Sequence, residues 1–213
     1  ASIKLDGEHL CGGAIVSQSH IVTAAHCVQP FVNEPGIYKR MTVVTGSYNL
    51  RFGGKTCAIK NMVYHWSYHG DDSTGFDVAV LQLTEPIKFT ARQKPIALPT
   101  SDVPMAVNAT VVAWGTTSYP RGRLSSDLQK LDVLTIPPSE CQEFHRKRIS
   151  NFEFCTILDR GYGTCEGDSG SPVVYHGRLV GVVSAGIPCA LGIPDIQTNI
   201  YKVRNFINEA MKE

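Results

Sequence analysis

Three short segments hold the side chains from which a nucleophilic centre can be built: "TAAHC" with His26, "GFDVAVLQL" with Asp77, and "GYGTCEGDSGSPVV" with Ser169. A serine hydroxyl attacks an acyl carbonyl only if a base takes its proton at neutral pH. A neutral imidazole can do that, provided a carboxylate fixes its tautomer and stabilises the imidazolium that follows. Taken singly, each residue has an ordinary reading: a histidine beside a disulfide packs, an aspartate before a strand caps a turn, and Gly-Asp-Ser-Gly is turn chemistry. Together, in the order His, Asp, Ser and with these flanks, they point to acyl-transfer chemistry with Ser169 as nucleophile, His26 as base and Asp77 as its orienter.

Residues this far apart in sequence meet only on a stiff scaffold. The runs "HIVTAAHCV", "MTVVTGSYNL", "DVAVLQL", "ATVVAWG", "LQKLDVLTI", "SPVVYHG" and "RLVGVVSAG" are short and β-rich, and Gly, Pro, Asn and Asp clusters separate them. That pattern predicts an all-β chain, an antiparallel sandwich or a pair of barrels, rather than alternating βαβ units. The closing segment "YKVRNFINEAMKE" differs. Its Val203, Phe206, Ile207, Ala210 and Met211 recur at helical spacing with charges opposite, which predicts a terminal helix. The stretch "ALPTSDVPMAVNAT" divides the strands into two groups.

At 213 residues the chain can bury a sizeable core without metal or heavy cross-linking. Its 20 basic and 19 acidic side chains leave a net charge of +1, too weak a field to draw nucleic acid or an anionic membrane. The basic run "HRKR", His145 to Arg148, reads as a solvated surface segment. No apolar run approaches bilayer length and no secretory leader is visible, so the sequence reads as soluble, processed material. Seven cysteines with no CxxC pair favour an oxidising compartment, hence secretion, over a zinc site or the cytosol. The odd count leaves one thiol over.

From "HLCGGAIVSQSHIVTAAHC" through "GDSGSP" and "VSAG" to the terminal helix, essentially the whole chain resembles the chymotrypsin-like (trypsin-fold) serine proteases. Arthropod digestive and venom chymotrypsins look most similar, because their simpler disulfide pattern fits. The resemblance implies a single peptidase domain over 1–213, with two perpendicular six-stranded antiparallel β-barrels at 1–100 and 105–200 and a helix over 201–212. It implies a catalytic triad of His26, Asp77 and Ser169 in the cleft between the barrels. The N–H groups of Gly167 and Ser169 would form the oxyanion hole, where donors wait for charge that develops in the tetrahedral intermediate. It also implies the bridges Cys11–Cys27, Cys141–Cys155 and Cys165–Cys189. Cys57 is then left over, either a buried inert thiol or one paired between molecules.

No cofactor or metal is implied, since the loop at 46–60, where vertebrate trypsins hold calcium, contains no Asp or Glu. The implied partners are polypeptide substrates and protein protease inhibitors, with no nucleic acid or membrane, for a secreted monomer. "NAT" at Asn108 is a glycosylation acceptor in that setting. In this family a new amino terminus, usually Ile-Val-Gly-Gly, pairs with the aspartate corresponding to Asp168 and orders the oxyanion loop. The sequence opens on "ASIKLDGEHLCGG", already inside the first barrel of the resemblance, which implies omitted residues or a truncated or inactive homologue. Ser171 replaces a glycine, and backbone strain is expected there if its φ is positive.

By position, the substrate pocket has Gly163 at its base, Thr164 beside it, Ser184, Ala185 and Gly186 along a wall, and Asp195 on the far wall. An uncharged base and a glycine wall imply an open apolar slot and cleavage after Phe, Tyr or Leu. Asp195 resembles the relocated acid of certain arthropod collagen-degrading members, which accept basic residues too; its bland reading is a turn residue after Pro194 that points away. Ala185 stands where tryptophan is usual and Gln197 where tyrosine is common, so residues further upstream in a substrate should be gripped less well. Ser184 is expected to hydrogen-bond Asp77. The prediction is a secreted serine endopeptidase of chymotrypsin-like preference. Its alternatives are broad or trypsin-like specificity through Asp195, and a catalytically inactive homologue that acts as a binding protein.

Overall fold

The computed structural model describes residues 1–70, 75–118, 122–186, 189 and 191–212. Its first half is an antiparallel sheet of β1 (Ser2–Leu5), β2 (Glu8–Gly12), β3 (Ala14–Ile15), β4 (His20–Thr23), β5 (Met41–Thr45), β6 (Lys55–Tyr64) and β7 (Ala79–Leu83). They lie in the order β2-β1-β5-β6-β7-β4-β3. Seven strands replace the expected six because one stretch of chain changes partner midway: β2 pairs with β1, and β3, one residue on, pairs with β4. The two ends of the sheet are therefore neighbours in sequence, and the sheet curls round to bring them together. Gly13 sits at the switch, where a Cβ would come within 2.7 Å of the Ile21 side chain. A larger residue would push the ends apart.

The second half is a closed barrel of β8 (Asn108–Ala113), β9 (Gln129–Ile136), β10 (Glu153–Ile157), β11 (Pro172–Tyr175), β12 (Arg178–Ala185) and β13 (Asp195–Asn199). Closure leaves this barrel without an unpaired edge. Two four-residue helices, α1 (Ile37–Arg40) and α2 (Pro138–Cys141), lie in connections. The terminal helix α3 spans Ile200–Ala210, one residue earlier at its start than expected and followed by a turn. Asn199 starts it: its Oδ1 accepts the N–H of Tyr201 at 3.1 Å and of Lys202 at 3.4 Å, satisfying donors that the first turn leaves free.

Each half has its own apolar core. The second barrel closes over Val111, Val133, Phe154, Val173 and Val183. The first core, around Ile3, Ile21, Met41 and Leu81, also takes in Ile200, Val203, Phe206 and Ile207 of α3 together with Leu179 and Val182 of β12. Burying each such side chain is worth roughly 1.5–3 kcal/mol, so the C-terminal helix fastens the two halves by its apolar face. Disulfides join Cys11 to Cys27, Cys141 to Cys155 and Cys165 to Cys189. Cys57 is a free thiol, and at 5 % exposure it is packed within β6, closed to a partner on another molecule.

Candidate active site

His26 lies in a single 3₁₀ turn, Ala25–Cys27, directly after β4. Ala24 and Ala25 before it are fully buried, and Cys27 behind it is bridged to Cys11 at the end of β2. The turn is thus pinned on both sides while the imidazole remains 30 % exposed. Asp77, in the lead-in to β7, receives it. Its Oδ1 accepts the His26 backbone N–H at 2.9 Å, and its Oδ2 lies 2.7 Å from Nδ1. An ionised carboxylate only accepts, so Nδ1 carries the proton and Nε2 keeps its lone pair. Ser184 of β12 donates its hydroxyl to the same Oδ2 at 2.6 Å, and Thr198 of β13 donates to the Asp77 carbonyl at 2.8 Å. Two strands of the second barrel therefore hold Asp77 of the first, one by its carboxylate and one by its backbone carbonyl.

The Ser169 segment is held against that turn from the other side. Gly12 donates its N–H to the Ser169 carbonyl at 2.7 Å, and Gly170 donates to Val183 at 2.8 Å. Gly170 has φ +75° and lies so close to the Thr23 hydroxyl and the Gly12 carbonyl that no side chain fits. Gly167 has φ +89° and rests on Leu124. Its carbonyl lies 2.9 Å from His9 Nε2, while Ser2 Oγ holds the other ring nitrogen at 2.8 Å. Among the described residues neither the Gly167 nor the Ser169 N–H has a protein acceptor. Both donors are available to an anionic oxygen.

Asp168 points away from this face. Its Oδ1 accepts Gly115 N–H at 2.6 Å and its Oδ2 accepts Cys165 N–H at 2.8 Å. Burial raises its pKa to about 6, against the effect of those two bonds. It lines a cavity of about 710 Å³ with Val111, Gly115, Gly163, Thr164 and Leu191. That cavity lies behind the Gly163–Asp168 segment, and His26, Asp77 and Ser169 are not among its walls. Ser171 does not meet the condition for backbone strain: among the described residues the non-glycine positions of positive φ are Asp6, Ala106 and His176, so its backbone is not left-handed. What its side chain meets is Gly12, whose Cα faces the Ser171 hydroxyl so closely that a Cβ there would overlap it.

The family model described as Trypsin matches residues 1–207. The chain belongs to the trypsin family. It is 34% identical over 209 residues to hypodermin-A of Hypoderma lineatum, covering 97% of this chain and 79% of that protein. It is 32% identical over 212 residues to Trypsin-2 of Salmo salar, covering 96% and 86%. Its fold matches neuropsin, a serine protease expressed in the limbic system of mouse brain, with a TM-score of 0.89 over 99% of this chain and 92% of that one; at 22% identity this likeness speaks to fold alone. Trypsin-family serine proteases are hydrolases, and their substrates are polypeptides.

In this trypsin-family chain the expected pocket residues are brought together only in part. Asp195 is not a turn residue: it begins β13, is 4 % exposed, and its Oδ2 accepts Thr164 N–H at 2.6 Å. A Cβ at Gly186 would stand 2.7 Å from its Oδ1, so this carboxylate and the glycine wall share one space. Gly163 and Thr164 also face the large cavity, whereas Ser184, Ala185 and Gly186 do not. Gln197 is fully buried, with its Nε2 donating to Thr156 Oγ at 2.9 Å. Sequence reasoning missed His9 and Gly115, which reach the reactive loop from other elements, and Ser2, which holds the His9 ring. "DGEHLCGG" has no local rule that marks His9 as a brace.

Proposed function

We propose that the chain is a secreted serine endopeptidase, working as one peptidase domain in which Ser169, His26 and Asp77 form the triad. The Asp77–His26 pair carries this reading, because Asp77 is fixed by three side-chain or backbone donors and fixes in turn the tautomer that leaves His26 Nε2 basic. Ser169 Oγ attacks the scissile carbonyl as its proton passes to His26 Nε2, and the carbonyl oxygen becomes an oxyanion received by the Gly167 and Ser169 N–H groups. The tetrahedral intermediate collapses as the imidazolium returns the proton to the leaving amine, giving an acyl-enzyme. Water, deprotonated by the same nitrogen, then releases the acid and restores Ser169.

Asp168 faces a cavity and has no cationic partner among the described residues. An amino-terminal ammonium entering that cavity would pair with it and lock the oxyanion loop, the family's activation step carried to this chain. Asn108 is exposed at the start of β8, open to glycosylation on a secretory route. No described helix is long and apolar enough to cross a membrane. For specificity, Gly163 and Gly186 support an apolar slot that takes Phe, Tyr or Leu before the scissile bond, with Ala185 offering little grip upstream. A second reading, acceptance of Lys or Arg, is favoured by the Asp195 carboxylate beside Gly186.

A fluorophosphonate tests the reading. The mature protein should gain one covalent adduct that maps to the Ser169 peptide and vanishes in Ser169→Ala and His26→Ala. A protein that folds and binds peptide but is never labelled fits the inactive binding homologue instead.

A further inference from the structure

The basic run "HRKR" at 145–148 is not the solvated segment its composition suggests. His145 is buried, with its Nε2 2.8 Å from the Pro194 carbonyl. Lys147 is ion-paired at 3.2 Å with Glu153, whose other oxygen accepts the Ser150 N–H at 2.7 Å. Only Arg146 and Arg148 of the run are exposed, and neither has a hydrogen bond or ion pair among the described residues. Glu140 and Glu143, the acids that precede them, are exposed too and pair with neither. The turn is fixed from within by one side-chain amide. Gln142 Nε2 donates to the His145 carbonyl at 2.9 Å and the Lys147 carbonyl at 2.8 Å, and its Oε1 accepts the Ile149 N–H at 2.8 Å. Both guanidiniums are thus held out from a set frame, which lowers the ordering cost of binding.

That frame stands beside the cleft. His145 ties it through Pro194 to the start of β13, and Ile149 packs in one apolar cluster with Ile196 of β13 and Ala185 of β12, which are register partners. On its other side β12 pairs with β11 as far as Val182, opposite Pro172, and Val183 exchanges backbone bonds with Gly170 and Ser171. Beyond Val183 no described residue bonds to that side of the strand. The backbone of Ser184, Ala185 and Gly186 is therefore an open edge that begins beside the Ser169 loop and ends beside the basic turn. An extended polypeptide paired with this edge advances about 3.3 Å per residue, so the residues upstream of a bond held at Ser169 pass over Ala185 towards the arginines.

We propose that Arg146 and Arg148 select substrates that carry Asp or Glu upstream of the scissile bond. This rests on the reading of the chain as a serine endopeptidase and names the substrate class its cleft prefers. A carboxylate led along the β12 edge meets two cations that have no protein partner to give up, whereas a lysine there is repelled. Ala185 offers such a side chain little apolar surface, so charge makes the choice. All these groups stay in contact with water, and the effect of exposed pairs is modest: two arginines together correspond to roughly three- to tenfold in kcat/KM.

The measurement is kcat/KM for peptides with Glu, Gln or Lys at each of the second to fifth positions upstream of the bond, the residue before the bond being held constant. The Glu-to-Gln ratio should reach about three- to tenfold at one or more of these positions at low ionic strength and shrink towards unity in about 0.5 M salt. The same exchange downstream of the bond should give a ratio near unity. In Arg146→Gln/Arg148→Gln the upstream ratio should fall to unity, and in Arg146→Glu/Arg148→Glu the preference should turn to Lys. Fluorophosphonate labelling of Ser169 in both variants checks that they fold. Binding of the same peptides to Ser169→Ala, read by fluorescence anisotropy, needs no catalysis. Equal cleavage of Glu and Gln peptides by a protein whose Ser169 is labelled overturns the proposal and leaves the protease reading standing, as does a preference that survives in Arg146→Gln/Arg148→Gln. Equal cleavage together with heparin-oligosaccharide binding that this variant loses overturns it as well and assigns the turn to a polyanion. A protein that is never labelled, but whose Ser169→Ala form binds Glu peptides more tightly than Gln peptides, sinks the protease reading and keeps the choice of acidic peptides.

Discussion

At position 171 the chain carries a hydroxyl that the fold does not use. Ser171 is 1 % exposed, its Oγ has no hydrogen-bond partner among the described residues, and it presses on the backbone of Gly12. Its own N–H is satisfied by the Asp168 carbonyl at 3.0 Å and its carbonyl by Val183 N–H at 3.0 Å, so the backbone is at ease and the burden lies in the side chain. A buried polar group without a partner costs about 1–3 kcal/mol. Ser171→Ala keeps the Cβ and removes only that oxygen. It should raise Tm by roughly 2–4 °C, the shift expected of about 1 kcal/mol in a chain of this size. Calorimetry checks this, and a lower Tm in the variant would mean that the hydroxyl is satisfied by an internal water. The doubt that the sequence raised about this position concerned φ; the structure moves it to solvation.

Strand β2 is the element on which the reactive loop rests. Gly12 donates to Ser169, its carbonyl accepts from Thr23 Oγ at 2.8 Å, and Cys11 beside it anchors the His26 turn. One short strand thus indexes the nucleophile against its base. Gly12→Ala would place a Cβ onto the Ser171 side chain and within 2.8 Å of its Cα, forcing the loop off the strand. A misplacement of about 1 Å at a reacting atom costs about 100-fold in rate. We expect kcat/KM to fall by about that factor, with Gly12→Ala/Ser171→Gly recovering only part of the loss because the clash with the main chain at position 171 remains. Full activity in Gly12→Ala would show that β2 does not set the loop's position.

Such dependence explains what could be read from the sequence. His26, Asp77 and Ser169 stand in local motifs, and "DVAVLQL" and "RLVGVVSAG" declare strands by composition. The partner switch at Gly13, the brace at His9 and the inward turn of Asp195 are set by chain segments brought together from more than 100 residues apart or by strand register, and no window of sequence contains them.

For the molecule as a whole, the same burial that prepares the site makes stability a contest between acids and histidines. Asp168 and Asp195 have folded pKa values of about 6, above the ordinary 3.8 of an exposed carboxyl, so each favours the fold most below 3.8 and loses that contribution as pH rises through 6. The difference is on the order of 3 kcal/mol each. His65 works in the opposite sense. Stacked on Trp66 and Phe76, it is held neutral by burial with a pKa of about 4, so its contribution is present above 6.5 and is lost as pH falls towards 4. His9 and His20 are lowered by burial as well and add to that acid loss. The two sets oppose each other between pH 5 and 7.5, and the parent's Tm should change less across that range than either set alone would make it. Asp195→Asn separates them. An amide cannot ionise, so the variant escapes the penalty at pH 7.5 and should melt about 5–10 °C above the parent there, from the conversion of about 2–4 °C per kcal/mol. The two should approach each other by pH 4, where the parent's carboxyl is already neutral. With that acid contribution gone, the variant's own Tm should decline as pH falls from 7 to 5, exposing the histidines. Melting curves at half-unit intervals decide the matter: a gap between parent and variant that is the same at pH 4 and pH 7.5 would mean that Asp195 has the same pKa folded and unfolded and that burial does not govern its charge.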